Sequence, residues 1–399
     1  GAMIASILTA NGNKTGLYTS PHLHSMTERI RVGRNPIEKT AFATLLNLVW
    51  PAAKLVEKKG EYGPVTTFEI ITAMAFLYYK QVGVDFQVIE VGLGGRLDAT
   101  NVVTPMVSVI TSISLDHVVP LGKTLALIAA EKAGIIKANV PVIVAPQTIE
   151  TLEVLIQFSV EKEAPMVQIE KEVSWQVQKA DIEGQSINLE GLLNNYRLWT
   201  PLLGEHQAEN VATAVATVET LKKKGLALSK QSVSDGLKWV RWPGRLEILR
   251  DKDPQIVVDG AHNPYSIRKL VKAIEDYFEF QDVILVFGAT TGHNALEMIG
   301  ELTKLRPTFI AVQSRHPKSA PTSNIAAAAR DQGLNIAFES DNVGQATRRA
   351  LKQASQNTLV LCTGSLSVAA EVIEEIKNIP PEVYPSIGQT SAAALTIPR

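Results

Sequence analysis

A two-domain α/β protein is what this sequence predicts, on three observations. Short apolar runs of strand length recur along the 399 residues and alternate with stretches of helical length, the pattern of parallel sheets covered by helices. Between residues 167 and 199 the period shifts towards two, which predicts a small antiparallel meander set into the α/β layer. After Trp242-Pro243-Gly244-Arg245 a new series of strands and helices begins, which predicts a second sheet. The expected division is 1–248 and 249–380. A flexible tail is expected at 381–399, which is rich in proline, alanine, serine and threonine.

Along the first domain, residues 3–11 have the pattern of a helix ending near Gly12, and 15–19 that of a strand. Residues 66–81 are apolar on more than one side, the mark of a buried helix. Strands are expected at 86–91, 107–111 and 140–144, with a helix at 125–133 between the last two. The meander turns at Glu183-Gly184 and Asn194-Asn195, and a helix over 206–224 closes the unit. In the second domain strands are expected at 256–258, 283–287, 308–312, 335–338 and 358–361, separated by helices. Such alternation implies a parallel sheet covered on both faces. Ligands gather at the carboxyl ends of strands in these sheets, so the cleft between the domains is the expected site.

Composition narrows the function. With 39 basic and 40 acidic residues the formal net charge is −1, which leaves no basic excess to neutralise a nucleic-acid backbone or an anionic membrane surface. Cys362 is the single cysteine, in a strand-like apolar run, and reads as a buried structural thiol because disulfide frameworks need pairs. No apolar stretch reaches membrane-spanning length and no signal peptide is visible, so the expected compartment is the cytoplasm. Gly1-Ala2 reads as the remnant of tag removal, with Met3 beginning the natural sequence.

The densest chemistry lies in Glu90-Val91-Gly92-Leu93-Gly94-Gly95-Arg96-Leu97-Asp98-Ala99-Thr100-Asn101, at the end of an apolar strand. A carboxylate there, Glu90, is placed to hold a divalent cation, and the glycines let backbone N–H groups approach an anion. Ser114-Leu115-Asp116-His117 brings an imidazole to a comparable strand end. A histidine alone is more often a structural hydrogen-bonding residue. One His and one Glu converging on a cleft suit Mg²⁺ or Mn²⁺ when phosphate oxygens complete the shell. Lys132, in Glu131-Lys132-Ala133-Gly134-Ile135-Ile136-Lys137, is either a solvated lysine at a helix C-terminus or a group of the phosphate site. An ammonium cannot ligate Mg²⁺. A lysine carbamate can, and its formation requires a lowered amine pKa.

In the second half, Val258-Asp259-Gly260-Ala261-His262-Asn263-Pro264 ends a strand and would turn Asp259 and His262 to the cleft. Arg245 at the hinge either clamps a phosphate or pairs with Glu247. Ser365 offers a hydroxyl at a helix start, for a ligand or as an N-cap. His293 reads as an ordinary loop histidine. No Ser-His-Asp order, paired-cysteine metal pattern or dinucleotide fingerprint is present.

These segments, with Tyr18-Thr19-Ser20-Pro21-His22-Leu23, Glu28-Arg29-Ile30-Arg31-Val32, Thr66-Thr67-Phe68-Glu69, His316-Pro317 and Gly364-Ser365-Leu366, together resemble folylpolyglutamate synthase and the bifunctional dihydrofolate synthase. These form a branch of the Mur ligase superfamily, and the resemblance runs from about residue 3 to residue 380. It implies a Mur-ligase-type ATPase domain, with a P-loop-like parallel sheet, followed by a Rossmann-like α/β domain. It implies a monomeric ligase that adds L-glutamate to a folate, either tetrahydrofolate or dihydropteroate, through an acyl phosphate, with ADP and phosphate as products. By the same resemblance Ser20, Glu90 and His117 are magnesium ligands, and Lys132 is a carbamylated catalytic lysine. Thr66, Thr67, Phe68, Glu69, Leu97 and Asp98 line the pterin site. Asn210, Arg245 and Asp259 contact ATP. His262 and Ser365 hold the incoming glutamate, with His262 and Asp259 counted as catalytic.

The family opens with a strand and a Gly-Thr-Asn-Gly-Lys-Gly-Ser loop, ahead of the helix that residues 3–11 continue. No Gly-x-x-x-x-Gly-Lys-[Ser/Thr] occurs in these 399 residues. The expectation is a truncated sequence that binds ATP weakly and turns over slowly or not at all. Gly292-His293-Asn294 also stands where the family has a Lys-Asp pair. Two other readings stay open: a Mur-type ligase for another carboxylate, and a non-catalytic folate- or nucleotide-binding remnant.

Overall fold

The computed structural model describes residues 1–61, 63–115 and 118–382. Helix α1 (Ala2–Ala10) leads into β1 (Thr15–Tyr18), buried along its whole length. β2 (Ile30–Val32) returns antiparallel to it, β3 (Asn35–Pro36) turns back antiparallel to β2, and α2 (Lys39–Lys59) and α3 (Thr67–Val82) follow. β4 (Phe86–Ile89) then pairs in parallel with β1, giving the order β3-β2-β1-β4. α3 starts where it does because Thr66 and Glu69 form a reciprocal capping box. It ends at Gly83, whose φ of 63° suits the left-handed cap.

A second run comprises β5 (Ser108–Ile110), α4 (Val118–Leu121), α5 (Leu125–Ala133), β6 (Val142–Val144), α6 (Ile149–Glu161) and β7 (Met166–Gln168). Its three strands are parallel, in the order β5-β6-β7, and form a sheet of their own beside the first. The meander is β8 (Ser174–Asp181), β9 (Gly184–Glu190) and β10 (Asn195–Thr200). It is antiparallel throughout, as the two-residue period predicts, although Val167 belongs to the parallel strand before it.

α7 (Glu205–Lys223) and α8 (Lys230–Trp239) complete this half. α7 is buried on nearly every side, and its alanines and valines allow that. Its threonine hydroxyls donate to the carbonyls four residues back, at Glu209, Thr213 and Ala216, so they enter the core satisfied. Glu219, fully buried on the same helix, accepts from the Leu193 N–H, the Asn194 amide and the Tyr196 hydroxyl, which ties the meander to α7.

The C-terminal sheet contains β11 (Glu247–Arg250), β12 (Gln255–Val258), β13 (Asp282–Phe287), β14 (Thr308–Val312), β15 (Ile336–Ser340) and β16 (Thr358–Thr363). Helices α9 (Pro264–Tyr277), α10 (Ala295–Leu302), α11 (Thr322–Asp331), α12 (Val343–Gln353) and α13 (Leu366–Lys377) cover it. The strand order is β11-β12-β16-β13-β14-β15. Alternate residues feed two cores: Leu359 and Leu361 face one with Phe287 and Phe309, while Val360 and Cys362 face the other with Val372. The parallel expectation needs one correction, since the edge strand β11 runs antiparallel to β12. An edge strand joined by a short connection can reverse, whereas a parallel neighbour needs a long crossover. The sheet thus takes in Glu247 and Ile248, on the near side of the expected 248/249 division.

Candidate active site

β1 and β4 end side by side, and their ladder continues one rung further as the Glu90 N–H donates to Tyr18 O at 3.0 Å. Glu90 therefore stands at the carboxyl edge of the sheet, with its Oε2 accepting the Ser20 N–H at 3.1 Å. Glu90 keeps solvent access, yet the walls around it desolvate the carboxyl and raise its pKa. The Ser20 N–H and the Arg245 guanidinium oppose that rise.

The glycine turn beyond Glu90 does bind an anion, but the anion is the chain's own Asp98. Its Oδ2 accepts from the N–H groups of Gly92 (3.1 Å) and Leu93 (2.9 Å), and its Oδ1 from the Thr100 N–H at 2.9 Å and the Thr100 hydroxyl. These bonds fold residues 92–100 into a closed turn and leave Leu97, 78% exposed, at its tip. The turn is seated on the end of α5. Arg96 N–H donates to Glu131 O at 2.8 Å, Asn101 Nδ2 donates to Gly134 O at 3.1 Å, and the Arg96 guanidinium pairs with Glu131. A Cβ on Gly134 would lie 2.4 Å from Arg96 Cα, so only glycine permits this approach. The segments carrying Glu90 and Lys132 are thus joined, as their motifs suggested. Lys132 itself is not among the residues lining the cleft described below.

Of the expected pterin residues, Phe68 packs its ring against Gly92, where an added Cβ would lie 2.4 Å from Cζ. Thr66 and Glu69 are bonded to one another in the cap of α3, and Thr67 is exposed at its first turn. His117 lies outside the described residues, and so does Asp116. Among the described residues no cluster of three or more His, Cys, Asp or Glu could hold a metal.

A cleft of about 430 Å³ lies between the two halves. Thr19 and Glu90 line it from the first sheet, His206 and Asn210 from α7, Arg245 from the hinge, and Asp259 and Lys269 from the second domain. Asp259 braces the hinge: its Oδ2 accepts the Leu246 N–H and its Oδ1 the Ala261 N–H, both at 2.7 Å. Glu247 is engaged by Lys377 at 2.7 Å and by the Gly244 N–H at 2.9 Å, which removes it as the partner that sequence offered for Arg245. Arg245 is exposed and faces the cleft.

His262 Nδ1 donates to Gly260 O at 3.0 Å, which orients the ring, and the ring meets His293 edge-on at 5.3 Å. Neither histidine lines the 430 Å³ cleft. Ser365, only 3% exposed, caps α13 by accepting the Val368 N–H, and its hydroxyl lies 3.1 Å from Ser367 Oγ.

His206 and Lys269 are among the cleft residues to which sequence assigned no role. His206, in the first turn of α7, has its pKa lowered by burial, with Lys269 and Arg245 adding to the effect and Asp259 opposing it. Lys269 lies over the Tyr265 ring at 5.7 Å and shares a face of α9 with Tyr265 and Ala273. The four-residue spacing of those three was the available signal. Only the partner domain reveals that this face meets a site.

Two family descriptions match the chain: "Mur ligase middle domain" over residues 39–218 and "Mur ligase, glutamate ligase domain" over 244–366. The dihydrofolate synthase/folylpolyglutamate synthase of Bacillus subtilis is 32% identical, covering 94% of this chain and 87% of its own. The folylpolyglutamate synthase of Lacticaseibacillus casei is 33% identical, with 92% and 85% covered. Among solved structures, Mycobacterium tuberculosis folylpolyglutamate synthase complexed with ADP and AMPPCP superposes with a TM-score of 0.87 at 31% identity, covering 96% of this chain and 88% of that one. E. coli FolC in complex with DHPP and ADP gives 0.83 at 30% identity, with 94% and 85% covered.

Proposed function

The chain belongs to the folylpolyglutamate synthase/dihydrofolate synthase family of Mur ligases, and we propose that it uses ATP to join L-glutamate to a folate carboxylate. The observation that carries this reading is the one cleft receiving Glu90 from the first domain and Arg245, Asp259 and Lys269 from the hinge and second domain. A triphosphate needs cations around the transferring phosphoryl group and a second wall that excludes water, and the cleft offers both.

In the first step an oxygen of the folate carboxylate attacks the γ-phosphorus of ATP. The bond to the β–γ bridging oxygen breaks, leaving ADP and an acyl phosphate. The unprotonated amine of glutamate then adds to the acyl carbon, the carbon–oxygen bond to phosphate breaks, and inorganic phosphate departs as the amine proton passes to it or to water. Arg245 and Lys269 neutralise charge on the phosphates, Asn210 and Asp259 position the nucleotide, and His262 and Ser365 orient glutamate. The turn held by Asp98, with Phe68 and Leu97, receives the pterin. Mg²⁺ fits the Glu90 carboxylate and Ser20 hydroxyl, because this cation takes few protein ligands and completes its shell with phosphate oxygens and water. Bound there, it would supply charge neutralisation at the γ-phosphate.

The test is incubation with ATP, glutamate and either tetrahydrofolate or dihydropteroate, with product followed by mass spectrometry and ADP by a coupled assay. One glutamyl addition per ADP, absent when any substrate is omitted, is the expected result. ATP hydrolysis without amide, or amide formed only on an unrelated carboxylic acid, overturns the proposal.

A further inference from the structure

The loop that begins at Ser20 leaves the first sheet after β1 and returns at Arg29, whose carbonyl accepts the Thr19 N–H at 3.1 Å. One carboxylate organises it internally: Glu28 accepts the N–H groups of Leu23, His24 and Ser25 at 3.1, 2.8 and 2.8 Å. Its outer side is held by the other domain. His24 Nδ1 lies 3.1 Å from Glu374 Oε1 on α13, with the two side chains 19% and 10% exposed. The second oxygen of Glu374 takes the Arg315 guanidinium, whose backbone N–H donates to Glu371 at 2.6 Å. Beyond α13, Glu382 accepts the Met26 N–H at 3.3 Å and pairs with Lys39 at 3.1 Å.

We propose that Glu374 is a positioning residue: through His24 it holds the Ser20 loop in register with Glu90 and so ties the placement of the second domain to the phosphoryl-transfer centre. The proposal rests on the reading of Ser20 and Glu90 given above. Its physical basis is that the loop is held at two points, at its start by Ser20 on Glu90 and at its middle by His24 on α13 through a largely desolvated pair. Arg315 presets the Glu374 carboxylate and anchors it to the second domain, so a shift of α13 is transmitted to the loop rather than absorbed by side-chain rotation.

The experiment compares the full chain with Glu374→Ala, Glu374→Gln, His24→Ala and the double variant His24→Ala/Glu374→Ala. It measures hydrogen–deuterium exchange of residues 20–29 and steady-state kinetics. Exchange of the loop is expected to rise in Glu374→Ala while that of β13 and β14 stays unchanged. Its kcat is expected to fall roughly tenfold or more at little-changed glutamate KM, because misplacement alone costs rate. His24→Ala must reproduce both effects, the double variant must be no worse than the more impaired single one, and Glu374→Gln, which keeps an acceptor for His24, must recover part of the rate. Unchanged loop exchange, additive losses, or a silent His24→Ala overturns the proposal. If no glutamyl product forms even with a strand and Gly-Thr-Asn-Gly-Lys-Gly-Ser loop supplied ahead of residue 3, the functional reading fails. The exchange data then decide the clasp separately, with a protected loop in Glu374→Ala refuting it and a freed loop upholding the contact.

Discussion

The Ser20 N–H, two residues past the last paired residue of β1, donates at 3.1 Å to Oε2 of Glu90, the residue that follows β4. That bond brings a loop gripped by the second domain onto the carboxylate of the first. Most of what can be tested here concerns how the surrounding turns keep that carboxylate, and the groups near it, in place.

Asp98 folds the glycine turn by accepting four hydrogen bonds from Gly92, Leu93 and Thr100. Asp98→Asn turns one acceptor oxygen into an amide donor facing N–H groups. It should lower stability by about 2 kcal/mol, the cost typical of losing charge-assisted bonds. Urea unfolding checks the figure, and folate KM should rise in parallel if the turn shapes the pterin site. An unaltered midpoint would mean that the turn holds itself without Asp98.

Gly134→Ala sets a methyl group 2.4 Å from the Cα of Arg96, where neither backbone can yield cheaply. The 90–101 turn must lift from α5, and a loss of about 1–3 kcal/mol is expected from such overpacking. Melting temperature reads the stability. Exchange of residues 92–101 should increase more than that of the meander.

Burial lowers the pKa of His206, with Asp259 only partly offsetting it. The sign follows from proton counting. The unfolded chain binds the proton more readily than the folded one, so this contribution is fully present above the unfolded value of about 6.5 and is lost as pH falls below it. His206→Asn should flatten stability against pH between about 5 and 7 relative to the unaltered protein. A variant whose curve keeps the same slope would place the titration elsewhere, His22 being the next candidate because burial depresses it too.

Lys132 stands outside the lining of the cleft, and the role that the family resemblance implies for it needs the amine to become a carbamate. On that role Lys132→Ala should reduce kcat by at least about 100-fold. Depleting bicarbonate should slow the unaltered enzyme and leave the variant unaffected. Full activity in Lys132→Ala would remove the carbamate from the account.

How legible this was in the chain depended on the range of the forces involved. β13, β14 and β16 announce themselves because each is apolar for most of its length, as a strand buried on both faces must be. α2 was not foreseen: Pro51 interrupts it, and it buries only Leu45 and Ala53 while exposing Leu48 and Leu55. β2, β3 and β11 were missed because short edge strands are defined by the neighbour they pair with. At the site, Glu90 was readable from its place after a strand. That Asp98 fills the anion position of the glycine turn was not, because spacing does not say whose oxygens the amides will meet. The capping duties of Glu69 and Ser365 are local, and of the two roles open to Ser365 the cap is the one its hydrogen bond to Val368 displays. His206 and Lys269 belong to the cleft only because the second domain folds over the first, a relation no local pattern encodes.

The central claim is that the Glu90 carboxylate serves phosphoryl transfer at this cleft. The most direct measurement is single-turnover formation of ADP and glutamylated folate by Glu90→Gln, a substitution that keeps the size of the side chain and an acceptor for the Ser20 N–H. A fall of at least about 100-fold in the rate of ADP formation, with the melting temperature and folate binding retained, is the predicted result. A Glu90→Gln enzyme that transfers phosphoryl at the rate of the unaltered protein contradicts it.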